Sequence, residues 1–135
     1  MKKFALIGIA ALAVVAYAAE VLTVDKLLKD RDDHDGKDVV VTGKVADFRE
    51  RESRAGNKYT TFKIQGENKI ASVYVQGVLD PTPKNGDTVE VNAVFRKEKK
   101  VNDNFTVKDE LDATKKTNKK YGVKITKKAA SGDDK

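Results

Sequence analysis

These 135 residues contain no cysteine, no tryptophan and a single histidine, His34. Without thiols no disulfide can brace the chain and no N-terminal cysteine can carry a lipid, so an apolar core must hold the fold. One imidazole and no thiolate leave zinc and the other transition metals without a donor set of ordinary composition. The same shortage works against nucleophilic catalysis, because Ser53, Ser72 and Ser131 would have to share His34 as their base, and it sits in a different segment. Carboxylates are plentiful, at 21 Asp and Glu, but no spacing singles out a pair for acid and base roles. The expectation is a protein without catalysis, cofactor or structural metal.

An apolar run long enough to cross a bilayer is also missing. The run from Phe4 to Ala19 has 16 residues, short of the roughly 20 that a spanning helix needs. Lys2 and Lys3 precede it and Ala16-Tyr17-Ala18 closes it with a small-x-small cleavage site, which predicts a secretory signal peptide over residues 1–18. The mature chain would then start near Ala19 and work outside the cytoplasm, in the periplasm or secreted.

Charge is unevenly spread. The formal net charge is +6, yet residues 19–112 hold 17 Lys and Arg against 19 Asp and Glu, whereas residues 113–135 hold eight Lys against Asp133 and Asp134. The basicity belongs to the tail, and a nucleic-acid reading of the whole domain from its pI alone does not follow. Paired lysines among Thr, Asn and Gly bury little, so residues 113–135 read as a largely disordered basic tail, with Tyr121, Val123 and Ile125 able to add a short edge strand. Such a tail suits contact with anionic lipid, polymer or nucleic acid, at most about 1 kcal/mol per lysine near a charged membrane; a solubilising terminus explains it equally well.

Between these ends lies one domain, residues 19–112. Thr23 can cap a short helix whose stripe is Val24, Leu27 and Leu28, ended by Gly36 and its acidic neighbours. Five alternating strands follow. The first, Asp38 to Phe48, sets Val39, Val41, Gly43 and Val45 against Val40, Thr42, Lys44 and Ala46, and Gly43 suggests a bend that lets one strand serve two sheet edges. The second and third, Asn57 to Gln65 and Lys69 to Gln76, turn through Gly66, Glu67 and Asn68; Thr60, Phe62, Ile64, Ala71, Val73 and Val75 share the inner phase. After a breaker-rich loop with Pro81 and Pro83, Val89, Val91, Ala93 and Phe95 mark a fourth strand. Asn102, Asp103 and Asn104 turn into a fifth carrying Phe105, Val107 and Leu111. Five short strands, one plugging helix and no parallel crossover predict an all-β, five-stranded barrel.

The pieces DVVVTGKV and NGDTVEVNAVF, with a long polar loop and a hairpin bearing an aromatic pair between them, resemble the OB-fold, and in particular small exported bacterial OB-fold proteins. The resemblance covers about residues 22–112. It implies binding across the outer face of the second and third strands, between two flanking loops. On this chain that face would present Tyr59, Thr61, Lys63, Ser72 and Tyr74; the first loop adds Arg49, Arg51, Arg54 and Lys58, and the second Arg96, Lys97, Lys99 and Lys100. Tyrosines to stack bases beside basic loops to hold phosphates is the chemistry of single-strand binding. Glu50, Glu52, Glu98 and Asp103 interrupt the same loops, as in solvated loops generally. The leading expectation is an exported, non-catalytic module binding a protein or polyanion of the cell envelope, with single-stranded nucleic acid as the alternative. OB-fold haem chaperones use a histidine beyond the barrel, and residues 113–135 have none. Setting Gly36 at the sixth position of a calcium loop puts Arg31 first and Thr42 twelfth, where carboxylates are needed, leaving Asp32, Asp33 and Asp35 only loose surface binding.

Overall fold

A computed structural model describes residues 20–129. The predicted signal peptide lies outside them, as do residues 130–135 of the tail. Strand β1 (Val21–Thr23) leads into helix α1 (Val24–Lys29) and the single turn α2 (Arg31–His34). Five strands follow: β2 (Asp38–Glu52), β3 (Lys58–Gln65), β4 (Ile70–Gln76), β5 (Thr88–Asn102) and β6 (Phe105–Asp112); β7 (Gly122–Lys127) comes last.

The helix forms where its cap predicts. Thr23 Oγ1 accepts the Lys26 amide at 3.1 Å, satisfying one of the donors a helix start leaves open. Val24, Leu27 and Leu28 are all buried beneath it, so α1 plugs the sheet. Two glycines make its seat. A Cβ on Gly43 would lie 2.7 Å from the Gln65 carbonyl oxygen and 3.1 Å from Val24, and one on Gly66 would lie 2.5 Å from Asp25 Oδ1. The mid-strand glycine thus permits close approach of backbone and helix, which is why no side chain fits there.

Strand β2 serves three neighbours, the parallel β1 among them with Val21 opposite Val40 and Thr23 opposite Thr42. Its first half pairs antiparallel with β5, from Asp38 opposite Val94 to Lys44 opposite Thr88, and its second half pairs with β3. The antiparallel β3–β4 and β5–β6 ladders and a short parallel contact from Ser72 to Tyr74 of β4 against β6 complete a circuit through β2, β3, β4, β6 and β5 that returns to β2. The architecture is all-β, barrel-like and OB-like, and its five circuit strands are those the alternation predicts. Its interior takes Val39, Val41, Val45, Phe62, Ile64, Val73, Val89, Val91, Phe95 and Leu111, every one buried. Burying each such side chain contributes about 1.5–3 kcal/mol against leaving it in water.

Two expectations are corrected. The segments RERESRAGNK and RKEKKVND were expected as loops, but Arg49–Glu52 continues β2 and Arg96–Asn102 continues β5. Charged residues pair across these ladders, Glu52 opposite Lys58 and Glu98 opposite Lys108, so the alternating charges that read as solvated loop are cross-strand partners. The second concerns the tail. Over residues 113–129 it is built into the fold: β7 pairs antiparallel with β5, setting Val123 opposite Val91 and Ile125 opposite Val89, and Tyr121 is buried. Tyr121 donates its hydroxyl to Asp38, Lys119 Nζ donates to the same carboxylate at 2.8 Å, and the Ala129 amide donates to Asp87 at 2.7 Å. The lysine-rich composition of the segment hid how far it is built in: two lysines, a glycine and three ordinary β-formers make the strand, and a docked edge needs only one apolar side.

Candidate ligand-binding groove

The outer face of β3 and β4 is the floor of a groove of about 810 Å³. Tyr59 and Tyr74 stand on adjacent strands with ring centroids 5.7 Å apart and planes at 35°, as expected of an offset aromatic pair on a sheet. Lys63 Nζ donates to Ser72 Oγ at 3.0 Å, which links the two strands at the next position along the same face. Thr61 completes the floor and accepts Arg51 Nε at 3.3 Å.

Arg51 arrives there through a local irregularity. Val45 faces the core opposite Ile64, and unbroken alternation would carry residues 49 and 51 to the core side as well. Asp47 instead takes a left-handed φ of 52°, and the β2–β3 register shifts between Ala46 and Arg49. This bulge re-aims the strand, so that Arg49 lies opposite Thr61 and Arg51 opposite Tyr59, both on the outer face. Phe48, freed from the outer phase, packs on Phe62 with centroids 6.1 Å apart.

The opposite wall is the end of the β5–β6 hairpin. Lys99 and Val101 continue the phase of Phe95, and Lys99 lies opposite Val107. The hairpin outruns the barrel, so residues in core phase face the groove there instead of an interior. Lys99 Nζ sits 5.2 Å above the Tyr74 ring, a cation–π contact, and 3.1 Å from Glu110 Oε1. Glu110 is 5% exposed although charged. Burial raises the Tyr74 hydroxyl above its ordinary pKa, and the nearby carboxylates of Asp112 and Glu110 add to the rise. Arg31 fixes the base of this wall with a two-pronged salt bridge to Asp109, 3.0 Å on each arm.

Of the residues predicted from sequence, the groove brings together Arg51, Tyr59, Thr61, Lys63, Ser72, Tyr74 and Lys99. It does not include Arg49, Arg54, Lys58, Lys97 or Lys100. Arg49 bonds Asp47 at 3.0 Å. Lys97 Nζ bonds Asp32 at 2.7 Å, so the lysine is held above its usual pKa and the carboxyl below its own. Lys100 lies 3.9 Å from Asp103, while Arg54 and Lys58 are exposed away from the groove.

Sequence reasoning missed Val101, Phe105 and Glu110. Val101 is 50% and Phe105 55% exposed, and both line the groove. Phe105 and Val107 were expected to share the phase of Leu111 in the barrel. The signal available was length: fifteen residues of β5 cannot all lie over a small barrel, so the far end of its alternation had to face something else. Nothing in the sequence distinguishes Glu110 from its many acidic neighbours. Among the described residues no group of acidic and histidine side chains is arranged to hold a metal ion.

No protein-family model matches this chain, and a search of curated proteins returned no match. Among solved structures it is similar to a crystal structure described as an aspartyl-tRNA synthetase from Leishmania major Friedlin, with a TM-score of 0.58 and 12% sequence identity. The likeness covers 84% of this chain and 22% of that one, so this chain corresponds to a small part of the larger protein, and what the two share is the fold.

Proposed function

We propose that the protein is a non-catalytic binding module whose groove takes an extended single strand of nucleic acid. The tyrosine pair beside Arg51 and Lys63 carries this reading, because rings that stack with bases stand next to cations that meet phosphates. The fold shared with a chain described as a tRNA synthetase is in keeping with it. A polyanion without rings would use the cations and leave the tyrosines idle. A second reading, an envelope protein as the partner, draws on the half-exposed Val101 and Phe105 at the groove's rim. Export through the sequence's signal-like N-terminus belongs to the proposal in either case.

The test is equilibrium binding of a fluorescent single strand of about 15 nucleotides at low salt, compared with a double Tyr59→Ala, Tyr74→Ala variant. Stacking contributes about 1–3 kcal/mol per base, so affinity should fall tenfold or more in the variant. Undiminished binding in that variant, with loss in a Lys115→Gln, Lys116→Gln, Lys120→Gln protein, would move the site to the tail. Substituting these exposed lysines is preferable to deleting residues 113–135, which would also remove β7.

A further inference from the structure

A carboxylate almost wholly buried in the wall of a groove lined by cations is out of place if the groove's only task is to hold phosphates. Glu110 Oε1 is taken by Lys99. Its other oxygen, Oε2, has no hydrogen-bond partner among the described residues, yet it is not sealed away as a buried unsatisfied atom, and Glu110 lines the groove. One acceptor of a carboxylate already paired with Lys99 therefore remains reachable by solvent, on a residue that lines the groove together with Tyr74.

The chemistry of that oxygen decides what it can meet. It repels a phosphate and accepts from an N–H donor. With Lys99 held over Tyr74 and tied to Glu110, the ring that stacks and the acceptor that reads are joined by one ammonium group. Resting on the nucleic-acid reading above, we infer that Glu110 Oε2 is a base-reading acceptor, so that the groove takes bases inward and phosphates outward and favours bases with an exocyclic amino group. Cytosine, whose N4 amino group donates, fits; uracil, which presents O4 as an acceptor at the same place, meets the carboxylate with a lone pair. The pairing of a carboxylate with cytosine N4 is among the side-chain contacts that discriminate bases by geometry.

The experiment compares fluorescent oligo(dC) and oligo(dU) of about 15 nucleotides near neutral pH at about 50 mM salt, with wild type and Glu110→Gln. The two bases differ at the exocyclic 4-position and at the adjacent N3, an acceptor in cytosine and an N–H donor in uracil, and share every other group. Wild type should prefer oligo(dC) by at least about fivefold, and Glu110→Gln should bring the ratio close to one while tightening oligo(dU), since the repelling charge is gone. A wild-type ratio near one, with both strands bound, overturns the inference and leaves the nucleic-acid reading standing. A wild-type preference that survives Glu110→Gln also overturns it, because the reader then lies elsewhere. Failure of both strands to bind removes the nucleic-acid reading and this inference together. If Glu110→Gln loses the sheet signal by circular dichroism, Glu110→Asp, which withdraws the carboxylate by one methylene, should lower the ratio, and an unchanged ratio there overturns the inference too.

Discussion

Gly43 and Thr23 do different work at neighbouring places. At Gly43 any side chain must displace the Gln65 carbonyl and Ile64, both 2.7 Å from an added Cβ, and backbone does not yield as a flexible side-chain end would. Gly43→Ala should therefore destabilise by about 1–3 kcal/mol in chemical denaturation, the usual cost of overpacking. Thr23→Ala removes a cap without adding volume and should cost about 1 kcal/mol. Because α1 rests against Gly43 through Val24, the two losses should not simply add, and a double-mutant cycle measures their coupling. An additive cycle would mean that the helix docks independently of the bend. The sequence made both residues legible, since a capping threonine before an apolar stripe and a glycine inside an alternating strand each break a local pattern. The left-handed Asp47 is the contrary case. Aspartate tolerates positive φ but does not announce it, so the turning of Arg51 to the outer face was not readable.

At the scale of elements, β7 is held by side chains that titrate. Lys119 and Tyr121 both donate to Asp38, which keeps that carboxyl below its ordinary value of 3.8. Burial, then the bond to Asp38, lifts Tyr121 above its ordinary 10.0. A depressed carboxyl contributes stability that is complete above its unfolded value and disappears as acid titrates the folded group. A raised phenol contributes below its unfolded value and loses that contribution as base titrates the folded group. The clamp should thus weaken below about pH 4 and again above about pH 10. Hydrogen exchange over Gly122–Lys127 should rise in acid before that of β3, and Asp38→Asn should abolish this acid dependence. Tyr121→Phe should reduce the alkaline dependence to the part carried by Lys119, which Asp38 also holds above its ordinary value, and cost about 1 kcal/mol at neutral pH, the low end for a bond to a charged group because Asp38 is nearly half exposed. Exchange that rises equally in β3 and β7 would instead mean that acid unfolds the barrel as a whole. Asp87 supports the far end of the same segment. Burial alone would raise its carboxyl, but the amides of Lys84 and Ala129 bring it below the ordinary range. The edge strand itself was visible in the Tyr121, Val123 and Ile125 alternation, whereas its clamp was not, because Asp38 lies more than eighty residues earlier in the chain.

Across the whole molecule, charge separates the candidate ligand site from the body that carries it. Residues 19–112 hold more acids than bases, yet the groove collects Arg51, Lys63 and Lys99 against Asp47 and Glu110. The seven lysines of residues 113–129 offer a second cationic surface, and the salt dependence of binding counts which cations are involved. Each phosphate neutralised on a single strand contributes about −0.7 to the slope of log affinity against log salt. Lys99 stays engaged by Glu110, which leaves Arg51 and Lys63, so the slope should be about −1.4 for the wild type and about −2 once Glu110→Gln frees Lys99. Participation of Lys115, Lys116 and Lys120 would steepen the wild-type slope by about 2 more, and substituting the three with glutamine would then restore it. A slope that is shallow in the wild type, steeper in Glu110→Gln and indifferent to those three lysines would tie binding to the groove. The steep slope removed by glutamine at 115, 116 and 120 would tie it to the connection between β6 and β7. Each alternative also fixes where on the surface a strand can first approach, and stopped-flow association rates measured at two salt concentrations should follow the same residues as the equilibrium slope.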